Sequence, residues 1–94
     1  MAIARWNGTV IAESDDFEIV EGNVYFPRTA LKEAHFKKSE HTSVCGWKGT
    51  ANYLDVVVGD DVNANAAWTY LTPKDKAKNI EGYVAFWKGV DVER

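Results

Sequence analysis

The chain has 94 residues, 46% of them hydrophobic, and twelve are Trp, Tyr or Phe, so it is expected to fold as a single domain over 1–94 and is too apolar to be disordered. A net charge of −3 with acids and bases interspersed argues against a nucleic-acid partner, which would need a basic patch; Lys74, Lys76 and Lys78 would spread around a helix. The single cysteine excludes an internal disulfide, and neither a membrane-length apolar run nor a charged-then-apolar leader is present, so the expectation is a soluble cytoplasmic protein with no membrane partner.

Residues 2–13 read as a hairpin around Asn7-Gly8, because both residues tolerate the positive φ of a two-residue turn. Pairing Trp6 with Thr9 puts Ala2, Ala4, Trp6 and Ile11 on one face. Residues 17–26 repeat the device around Gly22-Asn23, with Glu21 opposite Val24 and Phe17, Ile19, Val24 and Phe26 sharing a face. Pro27 ends that strand. A short helix is expected from about Thr29 to Phe36, since Leu31, Ala34 and His35 fall at helical spacing and Glu33 sits four residues before Lys37. The Lys37-Lys38-Ser39-Glu40 segment reads as a solvated connector.

Residues 41–58 are expected to form the central hairpin. With Lys48-Gly49 as a two-residue turn, Trp47 pairs with Thr50, Cys45 with Asn52 and Val44 with Tyr53, which puts Cys45 and Tyr53 on opposite faces. The β-branched run Leu54–Val58 suits an interior strand, Gly59-Asp60-Asp61 a turn, and Ala66–Leu71 a further strand with Trp68 and Tyr70 on one face. Thr72-Pro73-x-Asp75 has the pattern of a helix start, and Gly82 that of its stop, so a second short helix is expected over 73–81. A last hairpin follows across Lys88-Gly89. The whole reads as a mainly β, β-rich α+β domain: a compact bent antiparallel sheet or partly open roll, with about eight strands and two short helices.

A family resemblance rests on Ile11-Ala12-Glu13-Ser14, Tyr25-Phe26-Pro27-Arg28 and the stretch Cys45-Gly46-Trp47-Lys48-Gly49-Thr50-Ala51-Asn52-Tyr53. It continues in Ala67-Trp68-Thr69-Tyr70 with Pro73 and in Val84-Ala85-Phe86. Over nearly its whole length the chain resembles a small, mainly bacterial family named domain of unknown function 427, sometimes labelled nucleotidyltransferase-like. That family usually has proline after the cysteine, where this chain has Gly46. The resemblance implies a fold and carries no settled activity.

The residues do not support the nucleotidyltransferase label. Metal-dependent nucleotidyl transfer needs carboxylates that converge, as Asp-x-Asp on a strand. This chain has Asp15-Asp16 and Asp60-Asp61 in turns and no G-x-x-x-x-G-K phosphate loop. No paired-cysteine spacing is present, so no zinc and no cofactor is expected from Cys45, His35 and His41. Cys45 and Lys48 are the candidates for catalysis: Cys45 reads as a thiol with Lys48 to lower its pKa, or as a small apolar core residue. The candidate ligand-binding residues are Tyr25, Arg28, Lys48, Tyr53, Trp68 and Tyr70, which combine aromatic walls with two cations. Arg28, Lys48 and Tyr53 are expected to share a small anionic or planar ligand, with Asp55 as an acid that could pair the cations. Two functions follow from the sequence: a small-molecule-binding or enzymatic domain, and a noncatalytic interaction module anchored by exposed Trp47 or Trp68.

Overall fold

The structure, a computed structural model, describes residues 1–94. Asn7 and Gly8 take φ of 53° and 75° and join β1 (Ala2–Trp6) to β2 (Thr9–Ser14), with Trp6 opposite Thr9 as the turn chemistry requires. Ala4 faces Ala12 while Arg5 faces Val10, so Ile11 is the extra residue of a bulge. The bend lets Ile11 and Ala12 both be fully buried, beside Ala2 and Ala4.

The next hairpin pairs β3 (Glu18–Val20) with β4 (Asn23–Tyr25). Its turn is Glu21-Gly22, with φ of 55° and 79°, and Val20 faces Asn23. The expected Gly22-Asn23 turn is thus displaced by one residue. The pairing shifts by two, so the alternation of faces is kept. Glycine takes the second left-handed position, and Glu21 accepts the first at a cost of about 1 kcal/mol or more.

Both segments expected to be helical make short 3-10 turns, Arg28–Ala30 and Glu33–His35 in the first, Asp75–Ile80 in the second. The first cannot continue because Leu31 bridges to Ala12 and the Lys32 N–H bonds the Ile11 carbonyl at 2.9 Å, which returns the chain to extended geometry. Glu33 accordingly pairs with Arg28, not with Lys37. In the second, Ala77 leaves helical φ/ψ (−115°, 18°) and the cap position is Lys74 without a side-chain cap bond, not Thr72.

The strands are longer than the pattern indicated. β5 runs Phe36–Cys45 and takes in the expected connector, with Phe36 opposite Val56 and Lys37 opposite Asp55. It is an edge strand, so its charged residues face water and discourage pairing with another chain. β6 (Gly49–Val58) and β7 (Asp61–Thr69) join across Gly59-Asp60, and β7 starts five residues ahead of the expected Ala66. β8 (Val84–Phe86) lies beside β7. The Lys88-Gly89 turn forms with φ of 55° and 84°, but β9 (Asp91–Glu93) pairs with β1 and not with β8. The turn carries the chain from one sheet into another: the Trp87 N–H still bonds the Ala66 carbonyl, while Val92 faces Ala4.

Three antiparallel sheets result, ordered β5-β6-β7-β8, β2-β1-β9 and β3-β4, and they do not close into a barrel. Phe26 and Val84 exchange two backbone bonds of 2.8 Å, which attaches the β3–β4 hairpin to the β8 edge. The fold is mainly β, as the sequence reads. Both faces of the four-stranded sheet are covered. Leu54, Val56, Ala67, Val84 and Phe86 bury one face against Ile11 and Phe26. Ala51, Tyr70 and Ala85 bury the other against Tyr25, Ala77 and Ile80. No helix is long and apolar enough to cross a membrane.

Two neighbouring glycines separate backbone need from space. Gly49 has φ of 113°, which side chains rarely adopt, although an added Cβ would meet the Thr72 carbonyl oxygen only at an ordinary contact distance of 3.6 Å; Gly46 has no positive φ and open space around it. Gly49→Ala is expected to destabilise the domain by more than about 1 kcal/mol and Gly46→Ala by essentially nothing, measured by urea unfolding.

Candidate functional site

The loop between β5 and β6 decides what faces what. Cys45 pairs with Gly49, Val44 with Thr50 and Ser43 with Ala51, so the loop is Gly46-Trp47-Lys48 and not the expected two-residue turn. The register differs from the expected one by three residues. An odd shift changes faces, so Cys45 and Tyr53 lie on the same side of the sheet. The expected pairs Cys45–Asn52 and Val44–Tyr53 do not form. The physical reason is Lys48. In the similar Trp87-Lys88-Gly89 turn, Lys88 is exposed with φ of 55°. Lys48 is instead drawn inward, its carbonyl accepting the Lys74 N–H at 2.9 Å. The Lys74 ammonium bonds the Gly46 carbonyl at 2.7 Å and pins the other end of the loop.

The Lys48 side chain is 8% exposed and its ammonium bonds the Glu21 carboxylate, which is 51% exposed at the β3–β4 tip. The ammonium also lies 5.4 Å from the ring centroids of both Trp47 and Tyr70. Burial pulls the Lys48 pKa down, but the Glu21 hydrogen bond, the phenols of Tyr25 and Tyr70 and the Glu21 charge together hold it above the usual lysine range. A lysine kept protonated serves as a fixed charge better than as a nucleophilic amine. The Lys48 hydrogen bond lowers the Glu21 pKa against a smaller opposing effect of desolvation, with a further contribution from the Trp47 side chain. Burial raises the Tyr70 phenol above its ordinary value; Lys48 opposes this, and Tyr25, Cys45 and Tyr53 add to it.

An open cavity of about 170 Å³ lies beside Lys48, lined by Lys48, Tyr53, Trp68, Tyr70 and Trp87. Tyr53 and Trp68 are direct cross-strand neighbours on β6 and β7, which puts their rings on one face. Trp68 donates its indole N–H to the hydroxyl of fully buried Tyr25 at 3.1 Å, and Trp87 donates to the Asn65 carbonyl at 2.6 Å. The two indoles meet edge to face at 6.1 Å and 87°, and Tyr53 leans on Trp87 at 6.4 Å. Tyr53 also contacts the His41 ring at 4.7 Å and shares a 2.9 Å hydrogen bond with Ser43. The aromatic walls are therefore held by named bonds.

Of the residues singled out from the sequence, Lys48, Tyr53, Trp68 and Tyr70 line this cavity, and Tyr25 supports it from below. Arg28 is elsewhere. Its guanidinium forks onto Glu33 at 3.0 and 3.2 Å, and it lines a second cavity of about 300 Å³ with Phe36, Lys38, Asn52, Leu54, Thr69 and Leu71. Tyr53 is the one residue common to both linings. Tyr25 packs on the Lys48 side and Phe26 in the opposite cluster, and Arg28 lies beyond the strand, in the 3-10 turn that follows Pro27. The expected approach of Arg28 to Lys48 does not occur. Asp55 does not pair either cation; it accepts the Asn65 N–H at 2.8 Å at the β6–β7 bulge. Cys45 is half-buried and packs against the Tyr70 cluster without lining the cavity. Trp87 was not singled out. Its signal was the recurrence of Trp-x-Gly at Trp6, Trp47 and Trp87, which reads as a repeated turn and says nothing of the cavity wall. Nowhere do three or more His, Cys, Asp or Glu side chains gather as a metal ion would need.

A family model described as a domain of unknown function, DUF427, matches residues 2–94. No curated protein matches the chain significantly.

The ion pair gives a pH signature. Glu21 has a lowered folded pKa, so its contribution is present above the unfolded value of 4.5 and is lost as pH falls through the folded one. Lys48 has a raised folded pKa, so its contribution is present below 10.5 and is lost as pH rises through the folded one. Glu21→Gln is therefore expected to be less stable than wild type at neutral pH and to converge with it as pH falls from 4.5 through the lowered folded value, measured by urea unfolding across that range.

Proposed function

The chain belongs to the DUF427 family, whose description names no activity, and we propose that this member binds a small planar ligand in the cavity over Lys48. The supporting observation is the combination of a buried, protonated lysine with four aromatic side chains around one concavity. Ligand pockets pair apolar walls with a few placed polar groups in this manner. Size narrows the ligand. Drug-sized molecules occupy roughly 300 Å³ or more, whereas a cavity of roughly 150 Å³ suffices for a benzene ring. About 170 Å³ therefore suits a single ring with a small substituent. The ring would lie against Trp68 and Trp87, with its polar group directed at the Lys48 ammonium. The interaction-module reading draws on exposed Trp47; against it, Trp68 is turned inward to Tyr25.

The test is an NMR titration of the isotopically labelled domain with benzamide and with benzoate, following the four indole N–H signals. A ligand of nine heavy atoms is expected to bind with a Kd of about a millimolar, near 4 kcal/mol, and to shift the Trp68 and Trp87 signals most. Trp87→Ala is expected to weaken binding about two- to tenfold. Absence of any shift at Trp68 and Trp87 with both probes would overturn the reading.

A further inference from the structure

The two members of the Lys48–Glu21 pair are not equally free to move. Lys48 sits in a loop tied at both ends to the 72–74 segment, with its ammonium against two rings. Glu21 stands at the tip of a hairpin with three-residue strands, in the left-handed region at φ 55°, with half of its side chain in water. Returning Glu21 to solvent costs it little desolvation, since a carboxylate is well hydrated there. Lys48 has no such escape, and a buried ammonium stripped of its partner is costly. Glu21 is also the only side chain hydrogen-bonded to the Lys48 ammonium.

Glu21 thus shows what the seat accepts. It is a carboxylate, placed where the Lys48 ammonium and the Trp47 side chain both act on it. An incoming carboxylate next to Glu21 would meet a like charge, so the two would exclude one another on Lys48. A neutral ligand raises no such conflict and leaves the ion pair in place.

Building on the binding reading above, we propose that the ligand is a single-ring aromatic carboxylate that takes the place of Glu21 on Lys48, and that Glu21 is a built-in competitor for the site. The β3–β4 tip releases when the carboxylate arrives and closes again when it leaves. Neutral rings of the same size use the aromatic walls but do not replace Glu21 as the counter-ion of Lys48. The competitor therefore sets a threshold: an anion must out-compete a tethered carboxylate, and its apparent affinity is reduced by the fraction of time Lys48 is free.

The test compares benzoate and benzamide on the wild-type domain and on Glu21→Gln, by the same NMR titration. Glu21→Asn is the second variant, because asparagine tolerates the left-handed backbone at this position. If Glu21 holds Lys48 for about nine-tenths of the time, its removal raises benzoate affinity about tenfold and leaves benzamide unchanged. In wild type, benzoate and not benzamide is expected to shift the Glu21 and Gly22 amide signals as the tip releases. Benzamide binding with no gain for benzoate in either variant would overturn the proposal while leaving the binding reading intact. Equal gains for both probes would also overturn it, since that would mark a general loosening of the hairpin. Failure of both probes to shift Trp68 and Trp87 in every form would overturn the binding reading itself.

Discussion

An ammonium held out of water must be paired, and much of this structure can be traced to how Lys48 meets that requirement. Its side chain turns inward from the β5–β6 loop, and Glu21 is brought to it from the tip of another hairpin. That hairpin is fixed in turn by the Phe26–Val84 bridge to the edge of the main sheet. Because Lys48 is drawn in, the loop has three residues, and the register that follows puts Tyr53, Ser43 and Cys45 on the side where Tyr70 and Tyr25 already lie. Lys48 thus connects the β5–β6 loop, the β3–β4 tip and the cavity lining.

The cavity walls rely on hydrogen bonds made by polar tips of aromatic residues. Trp68 is anchored on Tyr25 and Trp87 on the Asn65 carbonyl, where β7 bulges with Asn65 at φ 57°. The Asn65 N–H is itself held by Asp55. Indoles fixed at the N–H end keep their faces and edges for packing, which is the amphipathic use of tryptophan. The bulge is therefore linked to the site: it bends β7 and presents the carbonyl that orients Trp87. Arg28 lines a separate cavity of about 300 Å³, so the two cations read from the sequence serve separate surfaces.

The mutual placement of Glu21 and Lys48 also explains a local irregularity. A non-glycine residue in the left-handed region is strained, and Glu21 occupies it directly before Gly22. The charge-assisted bond to Lys48 offsets that strain. Sequence-local logic favoured Gly22-Asn23 for this turn, since both residues suit positive φ. The partner that shifts the preference lies 27 residues away.

Short runs of adjacent residues encode the local part of this structure. Asn7-Gly8 specifies its turn and the Trp6–Thr9 pairing; the apolar Leu54–Val58 run specifies an interior strand; alternation specifies that Trp68 and Tyr70 share a face. The mainly β class follows from these, and so does most of the set of aromatics around the cavity. The remaining features depend on long-range partners. Helical spacing from Thr29 to Phe36 yields to the Leu31–Ala12 bridge, and charged Lys37 and Lys38 belong to a strand because that strand is an edge. β9 leaves β8 for β1, and Arg28 is held by Glu33 in the turn after Pro27 and lines a different cavity from Lys48. The loop at Lys48 is the sharpest case. Trp-Lys-Gly is the same tripeptide at 47–49 and 87–89, yet only the second makes the two-residue turn. The difference is a carboxylate at Glu21 and a carbonyl contact to Lys74, neither of which is encoded within the tripeptide.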